Sequence, residues 1–529
     1  MERRGFLHGG IAIAAAACAP RATPTLAAGS APHASLEEAT IAALAGRMAR
    51  GEVTAAALVE QYVARVDALD RAGPALRAVL EVNPEAAAIA ARLDAERRAG
   101  RVRGPLHGIP VLVKDNVDTG DRMQTTAGSL ALLGTPAPRD ATLVARLRAA
   151  GAVVLGKANL SEWANIRDAH STSGWSARGG FTRNPYALDR NPSGSSSGSA
   201  AAVAASLCAV AVGTETNGSI LSPASIQGLV GLKPTVGLVS RRGIVPIAHT
   251  QDTAGPMART VTDAALLLAA MAGPDPEDPA TAGAPVRDYV AALDRGAARG
   301  KRLGVLRPAW VGPTVKPSFD AALDALRRLG ATLVDVELPK ATGEIQHAEL
   351  VVLLHELKAD MASYLAARAQ PALRSLDDLV RFHRAHAAEE LALFGQDLLE
   401  KAAATHGLDA PEYTKAVATC RRVAREEGID AVLAAQSLDA LVAPTGGPAW
   451  LTDIVNGDSF TGASSSIAAV AGTPSVTVPC GATHGLPLGV CLMGRAWSEA
   501  TLLGLAFAFE QETRHRRPPT YAASASATA

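Results

Sequence analysis

The sequence predicts an α/β fold in which a large mixed β-sheet is covered by helices on both faces. Short apolar segments bounded by Gly and Pro alternate with segments of helical length between residues 105 and 336. Such alternation indicates a parallel or mixed sheet with helices packed against it. The composition agrees with a globular enzyme, since 48% of the 529 residues are hydrophobic and 19% are charged.

The elements can be placed in chain order. Residues 35–100 have helical spacing and predict roughly three amphipathic helices, the first beginning just after Ser35. The apolar segment Ile109–Val113 predicts a strand that ends at Lys114. The further predicted elements are helices at Ala141–Ala150, Leu160–Asn165, Thr262–Met271, Ser318–Leu329 and Trp497–Thr513, and strands at Ala152–Leu155, Leu229–Leu232, Lys301–Leu306, Thr332–Val336, Leu441–Pro444 and Ser475–Val478.

The predicted domain organisation is simple. Residues 345–437 are mostly helical in pattern, which indicates an elaboration of the same α/β domain rather than a separate module. We expect one domain over residues 35–518, followed by a C-terminal tail over residues 519–529.

Residues 1–29 are typical of an export signal. Arg3 and Arg4 form a twin-arginine pair, and the apolar run Ile11–Cys18 follows. Because this run is too short for a permanent transmembrane helix, we expect no stable membrane span. The pattern predicts export to the periplasm by the twin-arginine route. Lipid attachment at Cys18 is the less favoured alternative, since Ala15 stands where Leu is usual.

Charge and motif spacing argue against several other classes of function. Lys plus Arg and Asp plus Glu each total 51, so no general positive field favours nucleic acid. The five cysteines contain no CxxC pair, and His383 and His386 lack an HExxH context, so no zinc site is indicated. Gly151–Ala158 resembles a phosphate-binding loop, but its middle is apolar and strand-like, and Ala158 lacks the required hydroxyl.

The segment Asn191–Ser219 is the strongest candidate for a reaction site. Its glycines permit close backbone approaches, and the run Ala200–Val212 predicts a buried helix, or a helix followed by a strand. The alternative is a flexible Gly/Ser linker, although linkers rarely continue into a core-like apolar run. We expect two serine-bearing turns on one rigid support.

Two serine nucleophiles are conceivable in this segment. Gly194–Gly198 matches GxSxG, which would make Ser196 the nucleophile of an esterase, but the required buried strand does not precede it. The other arrangement combines Lys114, Ser195 and Ser219. A buried, neutral lysine can remove the proton of a serine, which is otherwise a weak nucleophile. Residue pattern alone leaves this open, because a lysine at a strand end is usually a surface residue.

Four segments together resemble the amidase signature family of Ser–Ser–Lys hydrolases: GIPVLVKDN, GSSSGSA, TETNGSI and GLVGLKPTVGLVSRRGIVP. The resemblance extends from about Leu36 to Pro518. Three other segments, ANLSEWAN, SGWSARGGFTRNPY and HTQDTAGPMAR, resemble the peptide amidases of that family, which remove the C-terminal amide from peptides.

The resemblance implies a role for each residue of the triad. Ser219 would form the acyl-enzyme, and Lys114 would be the base and acid. Ser195, preceded by a cis peptide bond from Gly194, would pass protons between them. The reaction would be hydrolysis of a carboxamide by water with release of ammonia, without a metal or organic cofactor. A broader aliphatic or aryl amidase is the alternative within the family, and the oligomeric state stays open.

The resemblance also implies the surroundings of the nucleophile. The backbone N–H groups of Thr216, Asn217, Gly218 and the nucleophilic serine itself would form the oxyanion hole, and Ser173 would lie near the lysine. Leu221 departs from the family pattern, where most members have Arg. The Asn217-Gly218 pair also departs from the Gly-Gly found in many members. Both changes leave the backbone N–H donors of the expected oxyanion hole in place. They put in doubt whether this chain has the salt bridge that the family forms near the nucleophile.

Overall fold

A mixed β-sheet organises the computed structural model, which describes residues 35–368 and 372–526. Its thirteen strands, counted over those residues, are β1 (Val79–Val82), β2 (Pro110–Lys114), β3 (Val153–Ala158), β4 (Trp175–Ser176), β5 (Gly180–Phe181), β6 (Val210–Glu215), β7 (Val230–Lys233), β8 (Thr253–Ala258), β9 (Arg302–Val305), β10 (Thr332–Asp335), β11 (Ala440–Pro444), β12 (Ser475–Thr483) and β13 (Leu486–Met493). Eleven form one sheet, and β4 pairs with β5 separately.

The large sheet has the order β1-β3-β2-β6-β8-β7-β12-β13-β11-β9-β10. Its pairs are parallel at β3–β2–β6 and at β11–β9–β10. The remaining pairs are antiparallel. The predicted mixed sheet is therefore confirmed.

Helices cover the sheet and fill the segments between strands. Within the described ranges the α-helices are α1 (Ile41–Ala49), α2 (Ala55–Arg65), α3 (Ala86–Arg98), α4 (Thr142–Ala149), α5 (Ser197–Ala204), α6 (Leu221–Ile226), α7 (Val261–Met271), α8 (Lys316–Arg328), α9 (Ile345–Arg368), α10 (Leu376–Ala385), α11 (Ala387–Glu390), α12 (Asp397–Ala403), α13 (Pro411–Cys420), α14 (Ala431–Ala435), α15 (Ser466–Val470) and α16 (Glu499–Thr513). Two π-helical segments, Val66–Arg71 and Arg421–Asp430, continue α2 and α13. The short helix expected at Leu160–Asn165 is a 3₁₀ turn at Glu162–Asn165.

Both faces of the sheet are buried, as the sequence predicted. Side chains alternate between the two faces of a strand. In β11, Ala440 and Val442 belong to one apolar cluster, whereas Leu441 and Ala443 belong to another. Residues of α7 and α16 contribute to the first cluster, and residues of α13 and α15 contribute to the second. Helices therefore pack on opposite faces.

Several local predictions were wrong. The first helix begins at Ile41 rather than just after Ser35, because the Thr40 hydroxyl caps it by accepting from the N–H of Ala43. The strands β1, β4, β5, β8 and β13 were not predicted as strands. Residues 345–437 contain the helices α9–α14.

Two further findings concern the ends of the chain. The export signal predicted at residues 1–29 lies outside the described residues. Within the expected C-terminal tail, the N–H of Tyr521 donates to the carbonyl of Pro185, and the carbonyl of Ala522 accepts from Leu188. No helix in the described part of the chain has the length and apolar character needed to cross a membrane.

The segment Asn191–Ser219 is a packed support rather than a linker. It forms α5 and β6, and every residue of both elements is buried. At Gly198 a Cβ would lie 2.3 Å from the carbonyl oxygen of Ala78 and 2.5 Å from the backbone nitrogen of Asn159. Only glycine allows α5 to pack this closely against its neighbours.

Candidate active site

Lys114 ends β2 with its side chain fully buried. Its Nζ donates to the Oγ of Ser195 at 2.8 Å, to the Oγ1 of Thr214 at 2.9 Å and to the carbonyl of Thr214 at 3.3 Å. Burial lowers the pKa of Lys114 to about 7, against the opposing effect of the carboxylates of Glu215 and Asp252. The lysine is therefore poised to exchange a proton near neutral pH.

Ser195 lies in the turn that precedes α5. It is fully buried and follows a cis peptide bond from Gly194. Its carbonyl accepts from the N–H of Ser161 at 3.1 Å, and the next residue, Ser196, donates its N–H to the carbonyl of Ser219 at 3.2 Å. Backbone hydrogen bonds thus connect the turn that carries Ser195 to the turn that carries Ser219.

Ser219 faces a cavity that Ser195 and Ser196 do not line. It is partly exposed and lines a cavity, and no side chain in the described part of the protein hydrogen-bonds its Oγ. Ser196, in contrast, is fully buried, and its Oγ donates to the carbonyl and accepts from the N–H of Thr214. The Ser196 esterase alternative is therefore wrong, because its hydroxyl is engaged and lies away from the cavity.

Four successive backbone N–H groups lie beside Ser219 without an acceptor among the described residues: those of Thr216, Asn217, Gly218 and Ser219. Gly218 adopts a φ of 81°, which favours glycine. The next two N–H groups, of residues 220 and 221, both donate to the Oε2 of Glu215, at 2.7 and 3.0 Å. The carboxylate of Glu215 thus closes the loop, while the four preceding donors stay available to an oxyanion.

The side chains of the loop anchor it to the surrounding elements. Thr216 donates its hydroxyl to Asp252 at 2.6 Å. The amide of Asn217 donates to Glu349 of α9 at 2.9 Å, and its oxygen accepts from the hydroxyl of Ser465 at 2.8 Å. Leu221, where the family usually has Arg, is buried in an apolar cluster. Hydrogen bonds from uncharged side chains to the carboxyl groups of Asp252 and Glu349, together with the apolar packing of Leu221, therefore hold the loop.

The cavity in front of Ser219 has a volume of about 650 Å³. A second cavity, of about 750 Å³, shares Asn217, Gln346 and Glu349 with it. Ser173 lines the first cavity, where it hydrogen-bonds Asn165 and Asp458 rather than Lys114. The hydroxyl neighbour expected at Ser173 beside the lysine is instead that of Thr214.

Among the described residues, two groups of His and carboxylate side chains lie close enough to hold a metal. In the first, Arg167 pairs with Glu162, and the Nε2 of His383 accepts from the indole of Trp163 at 3.2 Å. In the second, His249 bonds the carboxylate of Asp360 at 2.9 Å, next to Glu356. Their ring nitrogens already have protein partners, so ion pairing and hydrogen bonding account for both groups.

Other discounted motifs have structural explanations. His386, in the turn between α10 and α11, is exposed and stacks on Phe382 with ring centroids 4.0 Å apart. Residues 153–158 of the phosphate-loop-like segment form the wholly buried strand β3.

Sequence reasoning missed several residues of the site, among them Thr214, Glu349 and Asp458. Thr214 had a partial signal, because it lies between the apolar run that ends at Val212 and the candidate oxyanion loop. Glu349 and Asp458 come from α9 and from the 451–460 loop, and no motif connects either residue to Ser219 in the sequence.

Comparisons with known proteins identify amidases among the relatives of this chain. A family model described as Amidase matches residues 57–503. The chain is 41% identical over 503 residues to a probable amidase of Arabidopsis thaliana, covering 92% of this chain and 93% of that protein. It is 38% identical to a glutamyl-tRNA(Gln) amidotransferase subunit of Salinispora arenicola, covering 92% and 99%. The structure of native peptide amidase from Stenotrophomonas maltophilia matches with a TM-score of 0.89 and 56% identity, covering 93% of this chain and 99% of that one.

The family match covers most of the chain and includes Lys114, Ser195 and Ser219. The large mixed sheet with helices on both faces agrees with the solved structures. The chain therefore belongs to the amidase family and is an amide hydrolase.

Proposed function

We propose that this amidase hydrolyses the C-terminal carboxamide of peptides or of amino-acid amides, through an acyl-enzyme on Ser219. The observation that carries the proposal is the buried Lys114–Ser195 hydrogen bond of 2.8 Å behind a reachable Ser219. The similarity to the Stenotrophomonas maltophilia peptide amidase supports the peptide preference. So does the cavity of about 650 Å³, which is large enough for a dipeptide-sized acyl group.

In the proposed acylation step, Ser219 Oγ attacks the carboxamide carbon. Its proton passes to Ser195 Oγ as the Ser195 proton passes to Lys114 Nζ. The negative charge that develops on the carbonyl oxygen is stabilised by the free N–H groups of residues 216–219. The proton then returns along the same path to the leaving nitrogen, and ammonia departs.

In the proposed deacylation step, water attacks the ester formed on Ser219. Lys114 again receives the proton through Ser195, and the oxyanion occupies the same backbone site. Collapse of the second tetrahedral intermediate restores the Ser219 hydroxyl and releases a carboxylic acid. The three side chains therefore return to their starting protonation states without another reagent.

A broad aliphatic or aryl amidase is the main rival, because the family resemblance covers it equally well. A tRNA-dependent amidotransferase component is a weaker rival. The Salinispora arenicola protein is similar over most of its length, but zero formal net charge and a predicted export signal disfavour a role on tRNA.

A substrate screen tests the proposed preference. We expect ammonia release from dipeptide amides to exceed that from acetamide and benzamide by about 100-fold or more in kcat/KM, because binding of the acyl portion positions the carboxamide. A coupled ammonia assay over peptide amides, amino-acid amides and simple amides measures this. Activity confined to simple amides would remove the peptide preference but leave amide hydrolysis intact.

Variants of the proposed triad test the mechanism. Ser219→Ala removes the nucleophile and Lys114→Ala removes the base, so each should lower kcat on a peptide amide by about 1,000-fold or more. Ser196→Ala is the matched serine control and should keep substantial activity, because its hydroxyl only bonds the backbone of Thr214. Full activity in Ser219→Ala would contradict the proposal.

The pH dependence follows from the burial of Lys114. Only the neutral lysine can accept the serine proton, and its pKa is lowered to about 7. The kcat/KM for a neutral substrate should therefore rise about tenfold per pH unit below pH 7 and level off above it. Melting temperatures measured over the same range separate this effect from unfolding. A rising limb centred near pH 10 would mean that the lysine is not the base.

We also propose export by the twin-arginine route, on the basis of the Arg3-Arg4 pair and the apolar run after it. In a Gram-negative host the double variant Arg3→Lys, Arg4→Lys should leave the protein in the cytoplasm, whereas the unaltered chain should reach the periplasm. Cell fractionation and immunoblotting measure this. Cys18→Ala is the control: a shift from membrane to soluble periplasm in that variant would favour lipid attachment.

A further inference from the structure

The cavity in front of Ser219 carries an unusual set of charges. Among the described residues that line it, the charged ones are Glu349 and Asp458, and no Lys, Arg or His is present. The buried Lys114 lies behind Ser195 and does not line the cavity. The wall that faces the substrate is therefore acidic, and it is not neutralised by lining residues.

Asp458 is saturated by neutral donors. Its Oδ1 accepts from the indole of Trp450 at 3.1 Å and from the amide of Asn191 at 3.2 Å. Its Oδ2 accepts from the N–H of Ser173 at 2.9 Å. These bonds fix the 451–460 loop against the site, so Asp458 has a structural explanation.

Glu349 is not saturated. It is only 8% exposed, and its Oε1 accepts from the amides of Asn217 and Gln251, each at 2.9 Å. No described residue hydrogen-bonds its Oε2, and no cation in the described part of the chain pairs with it. Burial raises the pKa of this carboxyl, and a cationic ligand would favour its ionised form. A carboxylate that is mostly buried without a charged partner is costly, so a cationic ligand in the cavity would stabilise it.

The position of Glu349 defines which part of the substrate it can meet. It bonds the side chain of Asn217, two residues before Ser219, and it lines both the active-site cavity and the adjoining cavity. Arg307 of the adjoining cavity is paired with Asp335 at 2.8 Å. A substrate whose carboxamide lies at Ser219 can therefore extend its acyl portion past Glu349 toward the adjoining cavity.

We propose that Glu349 is a specificity residue that binds a cationic group on the acyl portion of the amide substrate. The cation is either the N-terminal ammonium of a short peptide amide or a basic side chain next to the residue that bears the amide. This inference rests on the proposed peptide-amidase function and adds a charge preference to it.

Matched substrate pairs measure the preference. Ala-Leu-amide against N-acetyl-Ala-Leu-amide tests the N-terminal ammonium, and N-acetyl-Lys-Leu-amide against N-acetyl-norleucyl-Leu-amide tests the basic side chain. In the wild type we expect kcat/KM to favour the cation by about tenfold in at least one pair, as for a charge-assisted hydrogen bond. Glu349→Gln should reduce this ratio to about one, through a larger loss of kcat/KM on the charged partner than on the neutral one.

Glu337→Gln provides the matched control. Glu337 is exposed, lines the adjoining cavity but not the active-site cavity, and should keep the wild-type ratio. A wild-type ratio near one in both pairs would overturn the inference. So would equal losses on charged and neutral substrates in Glu349→Gln, because those would mean that Glu349 only positions Asn217.

A measurement on the wild type keeps the inference testable if Glu349→Gln does not fold. Raising the pH through about 8 neutralises an N-terminal ammonium but not a lysine side chain. The preference for Ala-Leu-amide should then disappear, whereas any preference for the Lys substrate should persist; a ratio unchanged by this titration would refute recognition of the ammonium. If no peptide amide is hydrolysed, the proposed function fails, and 4-aminobutanamide against butanamide tests the charge preference independently.

Discussion

The hydrogen bond between Lys114 Nζ and Ser195 Oγ is the interaction on which the rest of the site depends. A lysine in water has a pKa of about 10.4 and is protonated at neutral pH, so it cannot act as a base. Here β2 lies beside β6 in the middle of a sheet that is buried on both faces. The side chain of Lys114, at the end of β2, is surrounded by uncharged oxygens. Loss of hydration, rather than a neighbouring cation, brings its pKa to about 7. The proposed proton transfer is thus a consequence of the depth of the core.

The same constraint explains the small residues of Asn191–Ser219. The helix α5 must lie directly on the strands for Ser195 to reach the lysine, and a Cβ at Gly198 would collide with backbone atoms of Ala78 and Asn159. Serine hydroxyls in this helix satisfy buried carbonyls, as Ser199 does for Val212 at 3.0 Å. Gly and Ser, which make a flexible linker when exposed, here permit the closest packing in the active site.

Sequence periodicity was sufficient to predict the class of fold and most of its strands. The strand β8, with the sequence TAGPMA, was not predicted because Gly and Pro are normally disfavoured in the interior of a strand. The short strand β1 was hidden within a region of helical pattern. The proximity of Lys114 to Ser195 was anticipated only through the family resemblance, since 81 residues separate them. Glu349, 132 residues beyond Asn217, had no local signature at all, because its role arises from the docking of α9.

The distribution of charge around Ser219 has a consequence for product release. Hydrolysis converts a neutral carboxamide into an acid that ionises, and a new negative charge arises in a cavity whose charged lining residues, among those described, are Glu349 and Asp458. Lys114 cannot retain this product as an ion pair, because Ser195 separates it from the cavity and its pKa of about 7 weakens its charge. Burial raises the pKa of both lining carboxyls, so repulsion between like charges favours departure of the acid when either carboxyl is ionised. Acidic residues that attract a cationic acyl group in the substrate would repel the carboxylate of the product. The same arrangement of charge would therefore favour both binding of the substrate and release of the product.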